Sequence, residues 1–122
     1  MKLFATAGLL AACVAAAVAL VPTGAIAAPA RLVATVGPSE TITLRTAGGA
    51  LVRSVNAGTY TVSVRDKSTE HDFRLLGPGV SKATGVEWMG NKTWRVRFAK
   101  GKIYRFFCAP HADDMSGAFR AR

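Results

Sequence analysis

The chain has 122 residues, enough for one domain and too few for two of ordinary size. Sixteen Lys and Arg oppose seven Asp and Glu, a net charge of +9, and half of the residues are hydrophobic; this excludes a disordered acidic chain and favours acidic partners or anionic surfaces. The basic balance alone would suit nucleic acid, but the chain carries no nucleic-acid-binding motif, and no nucleic-acid partner is expected.

The N-terminal stretch does not read as part of the domain. Met1-Lys2 supplies one positive charge, and Leu3 to Val21 is almost wholly apolar. Pro22-Thr23-Gly24 breaks the run, and Ala25-Ile26-Ala27 has the small-x-small form of a cleavage site. Residues 1–27 are therefore expected to be a secretory signal peptide cleaved after Ala27, with Ala28 as second choice. An uncleaved anchor is argued against by the A-x-A pattern and by the lack of basic residues just after it. A second reading takes Leu10-Ala11-Ala12-Cys13 as a lipobox, with the chain lipid-anchored through Cys13. Against it, Val14 to Val18 continues the apolar run where a lipoprotein turns polar. The expected product is an exported domain, residues 28–122, periplasmic or secreted, with no membrane span after cleavage.

Cleavage leaves 95 of the 122 residues, with 15 basic against 7 acidic side chains, a charge of +8. It also leaves Cys108 as the only cysteine, so no internal disulfide can form. A small exported domain usually needs a disulfide or metal staple, and a single leftover Cys asks for a role as thiol, bridge or ligand. Metal ligation answers both.

From there the apolar period is two nearly everywhere, which predicts strands. Arg31 to Val36 is the first, closed by Gly37-Pro38. Thr41 to Arg45 is the second, closed by Gly48-Gly49. Leu51 to Val55 is a short third, ended by Asn56-Ala57-Gly58. Thr59 to Arg65 follows, with Tyr60, Val62 and Val64 facing one way. His71 to Leu76 is extended, with His71 opening the strand, and Gly77-Pro78-Gly79 stops it. Gly85 to Trp88 is a weak strand. Lys92 to Ala99 turns Trp94, Val96 and Phe98 inward. Lys102 to Cys108 places Tyr104, Phe106 and Cys108 on one face, with Cys108 at its end, and Gly117 to Arg122 closes the chain. Met89 reads as packing. Eight or so short strands predict an all-β, antiparallel Greek-key β-sandwich or barrel.

The run Cys108-Ala109-Pro110-His111-Ala112-Asp113-Asp114-Met115 holds a thiol, an imidazole and a thioether within eight residues. Soft sulfur and borderline nitrogen together suit copper, and a trigonal copper site takes a second imidazole with Met as a weak axial ligand. The one other histidine is His71. The expectation is that His71, Cys108, His111 and Met115 meet around one copper ion. Zinc would accept Cys and His but not readily a thioether. A Cys–His nucleophile would need an orienting third group and an oxyanion hole, and no substrate pocket is signalled.

The Cys-Ala-Pro-His-Ala-Asp-Asp-Met run, the His71-Asp72-Phe73 start and the Trp94…Gly101…Tyr104-Arg105-Phe106 strands resemble the cupredoxins, the small blue-copper proteins such as plastocyanin, pseudoazurin and amicyanin. The resemblance spans residues 28–122 in strand order. It implies a cupredoxin-like sandwich, one type 1 copper held by His71, Cys108, His111 and Met115, and electron transfer by Cu(I)/Cu(II) cycling rather than enzymatic catalysis. The protein is expected to be a monomer whose electron leaves through the His111 edge, ringed by Ala109, Pro110, Ala112 and the Gly77–Gly79 turn, with the basic surface steering an acidic redox protein partner. The alternative is an extracytoplasmic copper carrier, store or sensor without a redox partner. Two positions depart from the family pattern. The His111-to-Met115 spacing of three intervening residues lies between those of plastocyanin-like and amicyanin-like proteins. Asp72 stands where Asn is usual. Its backbone N–H is expected to donate to the Cys108 sulfur, while its carboxylate would favour Cu(II) unless Arg74 neutralises it. Pro110 has no N–H and cannot give the thiolate a second hydrogen bond.

Overall fold

The computed structural model describes residues 2–3, 8–21, 24 and 27–122. Residues 8–21 of the apolar run carry neither helix nor strand and are solvent-exposed. Ala25 and Ile26 of the expected cleavage pattern lie outside the described residues. Among those described, no helix is long and apolar enough to cross a membrane.

Nine strands follow: β1 (Ala30–Val36), β2 (Ile42–Thr46), β3 (Ser54–Val55), β4 (Gly58–Asp66), β5 (Arg74–Gly77), β6 (Val80–Ala83), β7 (Gly90–Phe98), β8 (Ile103–Phe107) and β9 (Ser116–Ala121). They form two sheets, ordered β2-β1-β4-β7 and β3-β9-β8-β5-β6. The chain passes back and forth between them, and the result is the all-β Greek-key sandwich its period of two predicts.

The core lies between the sheets. Every side chain assigned inward from alternation is buried: Tyr60, Val62, Val64, Trp94, Val96, Phe98, Tyr104 and Phe106. Aromatic rings dominate it. Phe98 packs on Tyr104 and Phe119 at 4.7 and 5.0 Å between centroids, and Phe73 stacks on Phe106 at 5.7 Å. Such contacts add to burial worth about 2–3 kcal/mol per large side chain. Gly117 lies flat against the Phe106 ring, where a Cβ would overlap it.

Four expectations are corrected. The sheets are mixed: β1 pairs β4 in parallel, and β3 pairs β9 in parallel. The chain visits the other sheet between β1–β2 and β4, so β4 arrives beside β1 running the same way. Gly85–Trp88 is not a strand. The extra strand is Val80–Ala83, because Pro78-Gly79 makes a tight hairpin turn, with Gly79 at φ 72°, and sends the chain straight back along β5. His71 and Cys108 lie just outside the strands they were expected to open and close. Met89 is 60 % exposed and lies outside the core.

Candidate metal centre

His71 is delivered by a wound loop after β4. Asp66 accepts from the Ser68 N–H at 3.2 Å, and the Ser68 hydroxyl accepts from the Glu70 N–H at 3.1 Å. These local turns tighten the backbone, and His71, Asp72 and Phe73 then enter the interior together. A buried tie holds that entry. The Thr84 hydroxyl donates to the Asp66 carboxylate at 2.6 Å and accepts from the Phe73 N–H at 2.9 Å, while the Thr84 N–H donates to the Phe73 carbonyl at 3.0 Å.

The second loop is equally closed. Cys108 follows β8, and a single 3₁₀ turn, Ala109–His111, follows Cys108. Pro110 sits in the first turn, where a missing N–H costs nothing. The Cys108 N–H donates to the Met115 carbonyl at 3.0 Å, and the Met115 N–H donates to the His111 carbonyl at 2.8 Å. Those two bonds close the loop and start β9.

The two loops meet in one cluster. His71 Nδ1 lies 3.1 Å from His111 Nδ1 and 3.6 Å from Cys108 Sγ, and His111 Nδ1 lies 3.7 Å from the same sulfur. One ion at about 2.0–2.1 Å from each nitrogen and about 2.3 Å from sulfur can bridge N···N up to about 4 Å and N···S up to about 4.4 Å, so all three separations fit a shared metal. Two neutral imidazoles cannot aim lone pairs at each other across 3.1 Å without a proton or a cation between them. His71, Cys108 and His111 thus form a group able to bind a metal ion. Met115 is buried, and its backbone is bonded to both Cys108 and His111.

Asp72 joins the halves. Its backbone N–H points at Cys108 Sγ at 3.4 Å, as expected. Its fully buried carboxylate accepts from the Ala109 N–H at 2.6 Å through Oδ1 and from Arg74 Nε at 2.8 Å through Oδ2. Arg74 therefore neutralises the charge that Asp72 brings. Burial pushes the Cys108 thiol above its ordinary value; the N–H groups of Asp72 and His111 pull it back down, and the Asp72 carboxylate adds to the rise.

His111 is the site's contact with solvent. Its side chain is 32 % exposed, and its outer nitrogen, Nε2, lies 4.0 Å from Glu40 in the β1–β2 loop. His71 is buried. The Gly77–Gly79 turn, expected beside the site, stands at the opposite end of the sandwich. The Tyr104 hydroxyl donates to the Pro78 carbonyl at 3.1 Å and accepts from the Ala99 N–H at 2.8 Å, four residues, or about 13 Å of strand, before Cys108. The turn stops β5 only after the strand has run away from His71. Pro110 is exposed, while Ala109 and Ala112 are partly covered, around the His111 ring.

Three contributors escaped sequence reasoning: Glu40, Asp66 and its partner Thr84. Glu40 lies in a loop with nothing to link it to His111. Asp66 did leave a signal: it continues the inward parity of Tyr60, Val62 and Val64, and a carboxylate at an inward position must find a partner.

No family model and no curated protein matches the chain. Among solved structures it is similar to one titled "Crystal structure of Lac15 from a marine microbial metagenome", with 15% identity, a TM-score of 0.44, and coverage of 78% of this chain and 32% of that one. This chain spans about a third of that protein's length.

Proposed function

We propose that the protein is an exported, mononuclear type 1 copper protein that transfers electrons, with His71, Cys108, His111 and Met115 as ligands, on the cupredoxin pattern its sequence resembles. The observation that carries the reading is the convergence of two imidazole nitrogens and one buried sulfur, 3.1–3.7 Å apart, from loops 37 residues apart in sequence. A thiolate with two imidazoles, completed by the thioether of the buried Met115, is the donor set copper selects over zinc, calcium or magnesium. Copper bound there would supply one-electron exchange.

The chain's own residues do the rest. The Asp72 N–H orients the sulfur and withdraws charge from it. Asp72, its charge balanced by Arg74, ties the two ligand loops together through the Ala109 N–H, so the donors hold their places when the charge at the site changes. The Phe73–Phe106 stack, Met115 and the buried ring of His71 keep water from the inner side. The partly exposed edge of His111 is the short route outward.

Visible and EPR spectroscopy of the copper-loaded protein, beside Cys108→Ser, tests the reading. An intense thiolate-to-copper band, giving a blue protein with a narrow copper hyperfine splitting, is expected in the wild type and absent in Cys108→Ser. A colourless copper-loaded wild type would reject it. Rapid self-exchange between oxidised and reduced protein supports electron transfer; slow exchange with ready release of copper to a chelator supports the carrier, storage or sensor alternative.

A further inference from the structure

The outer face of the β2-β1-β4-β7 sheet carries five exposed arginines, Arg31, Arg45, Arg65, Arg95 and Arg97. The register spaces them. Thr61 lies opposite both Arg31 and Arg95, and Val33 lies between Ser63 and Arg45. No arginine directly faces another across strands, where like charges would repel most. Arg31 Nε donates to the Ser63 hydroxyl at 3.0 Å, and the positions between the guanidiniums are mostly hydroxyl side chains.

Among the described residues, none of the five has a carboxylate partner. The exposed carboxylates, Glu40, Glu70, Glu87, Asp113 and Asp114, all lie in loops at the end of the sandwich that holds the metal centre. The charge of +9 is therefore unevenly placed, and its largest unneutralised group is one sheet face. A face built this way asks for an external anion.

The chemistry narrows which one. The face has no aromatic side chain, so it offers no platform for stacking bases of a single strand. It has no protruding helix or ribbon to enter a duplex groove. It lacks the aromatic, Met or Leu anchors that form the core of a protein–protein interface. What remains is recognition by charge and hydrogen bonding alone, over a broad and shallow area. Guanidinium forks match phosphate oxygens two at a time, and Thr and Ser hydroxyls add single donors.

We propose that this face seats the protein on an anionic phospholipid bilayer through guanidinium–phosphate contacts. The strands then lie along the membrane surface, and the metal-centre end faces along its plane rather than into it. None of the five arginines touches the metal centre, so the proposal stands or falls separately from the copper reading.

Co-sedimentation of the metal-free exported domain, residues 28–122, which holds all nine strands and lacks the exposed apolar run, with lipid vesicles tests it. Binding to vesicles containing phosphatidylglycerol is expected, with little to pure phosphatidylcholine, and with loss at about 1 M salt, where screening acts within about 3 Å. Arg65→Gln, Arg95→Gln and Arg97→Gln should each weaken binding about fivefold, and together about a hundredfold. The same three positions as Lys should retain most of it. Lys100→Gln, Lys102→Gln and Arg105→Gln together remove equal charge elsewhere and should change binding by less than about threefold, the loss of long-range attraction alone. Circular dichroism checks that every variant keeps its strands. Equal binding to phosphatidylcholine, equal loss in the two Gln triple variants, or retention by polyglutamate or single-stranded DNA with none by phosphatidylglycerol vesicles would each overturn the proposal.

Discussion

The carboxylate of Asp72 accepts a hydrogen bond from the backbone N–H of Ala109 at 2.6 Å, and this bond ties the loop bearing His71 to the loop bearing Cys108 and His111. The same side chain pairs with Arg74 at 2.8 Å while its own N–H faces the Cys108 sulfur. One residue thus cross-links the two loops, balances a charge and orients a thiol. Asp72→Ala would leave a polar N–H without its acceptor and a half-exposed guanidinium without its partner. We expect a loss of about 2–3 kcal/mol, most of it from the N–H, since Arg74 can turn to water. Asp72→Asn keeps an acceptor for Ala109 and should cost about 1 kcal/mol. Urea denaturation of the three metal-free proteins measures the order; equal stability of Asp72→Ala and wild type would show that the tie contributes nothing.

Metal uptake should depend on pH through Cys108. Burial holds its thiol above the ordinary value of 9.0, so the metal-free site is protonated at neutral pH. A thiolate-binding metal must release that proton, and apparent affinity should rise about tenfold per pH unit through the neutral range from this group alone. Competition with a chelator at several pH values measures the slope, and a flat profile would show that the sulfur is not a ligand. The stability of the metal-free fold carries the opposite sign. A thiol harder to ionise when folded stabilises fully below its unfolded value, and that contribution is lost as pH rises through the folded one. Metal-free wild type should therefore lose stability above about pH 9 relative to Cys108→Ala, which has no such proton.

A buried tie stands behind the His71 loop. The Asp66 carboxylate, the Thr84 hydroxyl and the Phe73 N–H form a buried chain, and Phe73 is two residues from His71. Thr84→Val keeps the shape but strands a carboxylate oxygen and an N–H. A loss of about 1–3 kcal/mol is expected from those two buried groups. Amide hydrogen exchange should show faster exchange at Phe73 and the residues before it, with the β1–β2 hairpin unchanged. Uniform loss of protection across the fold would mean that Thr84 acts on global stability and not on the His71 loop.

These residues also mark where sequence reading ends. The core was legible because alternation is a local signal: Tyr60, Val62 and Val64 on one strand, and Trp94, Val96 and Phe98 on another, each declare their face without reference to anything distant. The grouping of His71, Cys108 and His111 was legible because donor chemistry limits the pairings when a chain has two histidines. Strand direction was not. The parallel pairing of β1 with β4 depends on how the chain crosses between sheets, which no short window encodes. The Pro78-Gly79 turn was legible as a break in β5 but not as the start of β6, because breaking and reversing use the same residues. Its distance from the site followed from the length of β5 and the anchoring by Tyr104. Glu40 reaches His111 from the β1–β2 loop, and nothing near residue 40 points to residue 111.

Gly117 offers a test of how far core packing reaches into the metal centre. A Cβ at this position would overlap the Phe106 ring, which is buried and stacked on Phe73 at 5.7 Å. Phe106 is two residues before Cys108, and Phe73 is two residues after His71, so the stacked pair joins the two ligand-bearing segments. Gly117→Ala should push this pair, and overpacking of this kind costs about 1–3 kcal/mol. The effect should not stop at stability: chelator competition should show weaker metal binding, because each ring is two residues from a ligand on the same backbone. Gly48→Ala is the matched control, since only the Thr46 hydroxyl lies near its added methyl, at 3.8 Å. It should leave both stability and metal affinity near the wild-type values. If Gly117→Ala loses stability while metal affinity stays at the wild-type value, the ligand loops hold the donors independently of the core, and the stacked rings are filler.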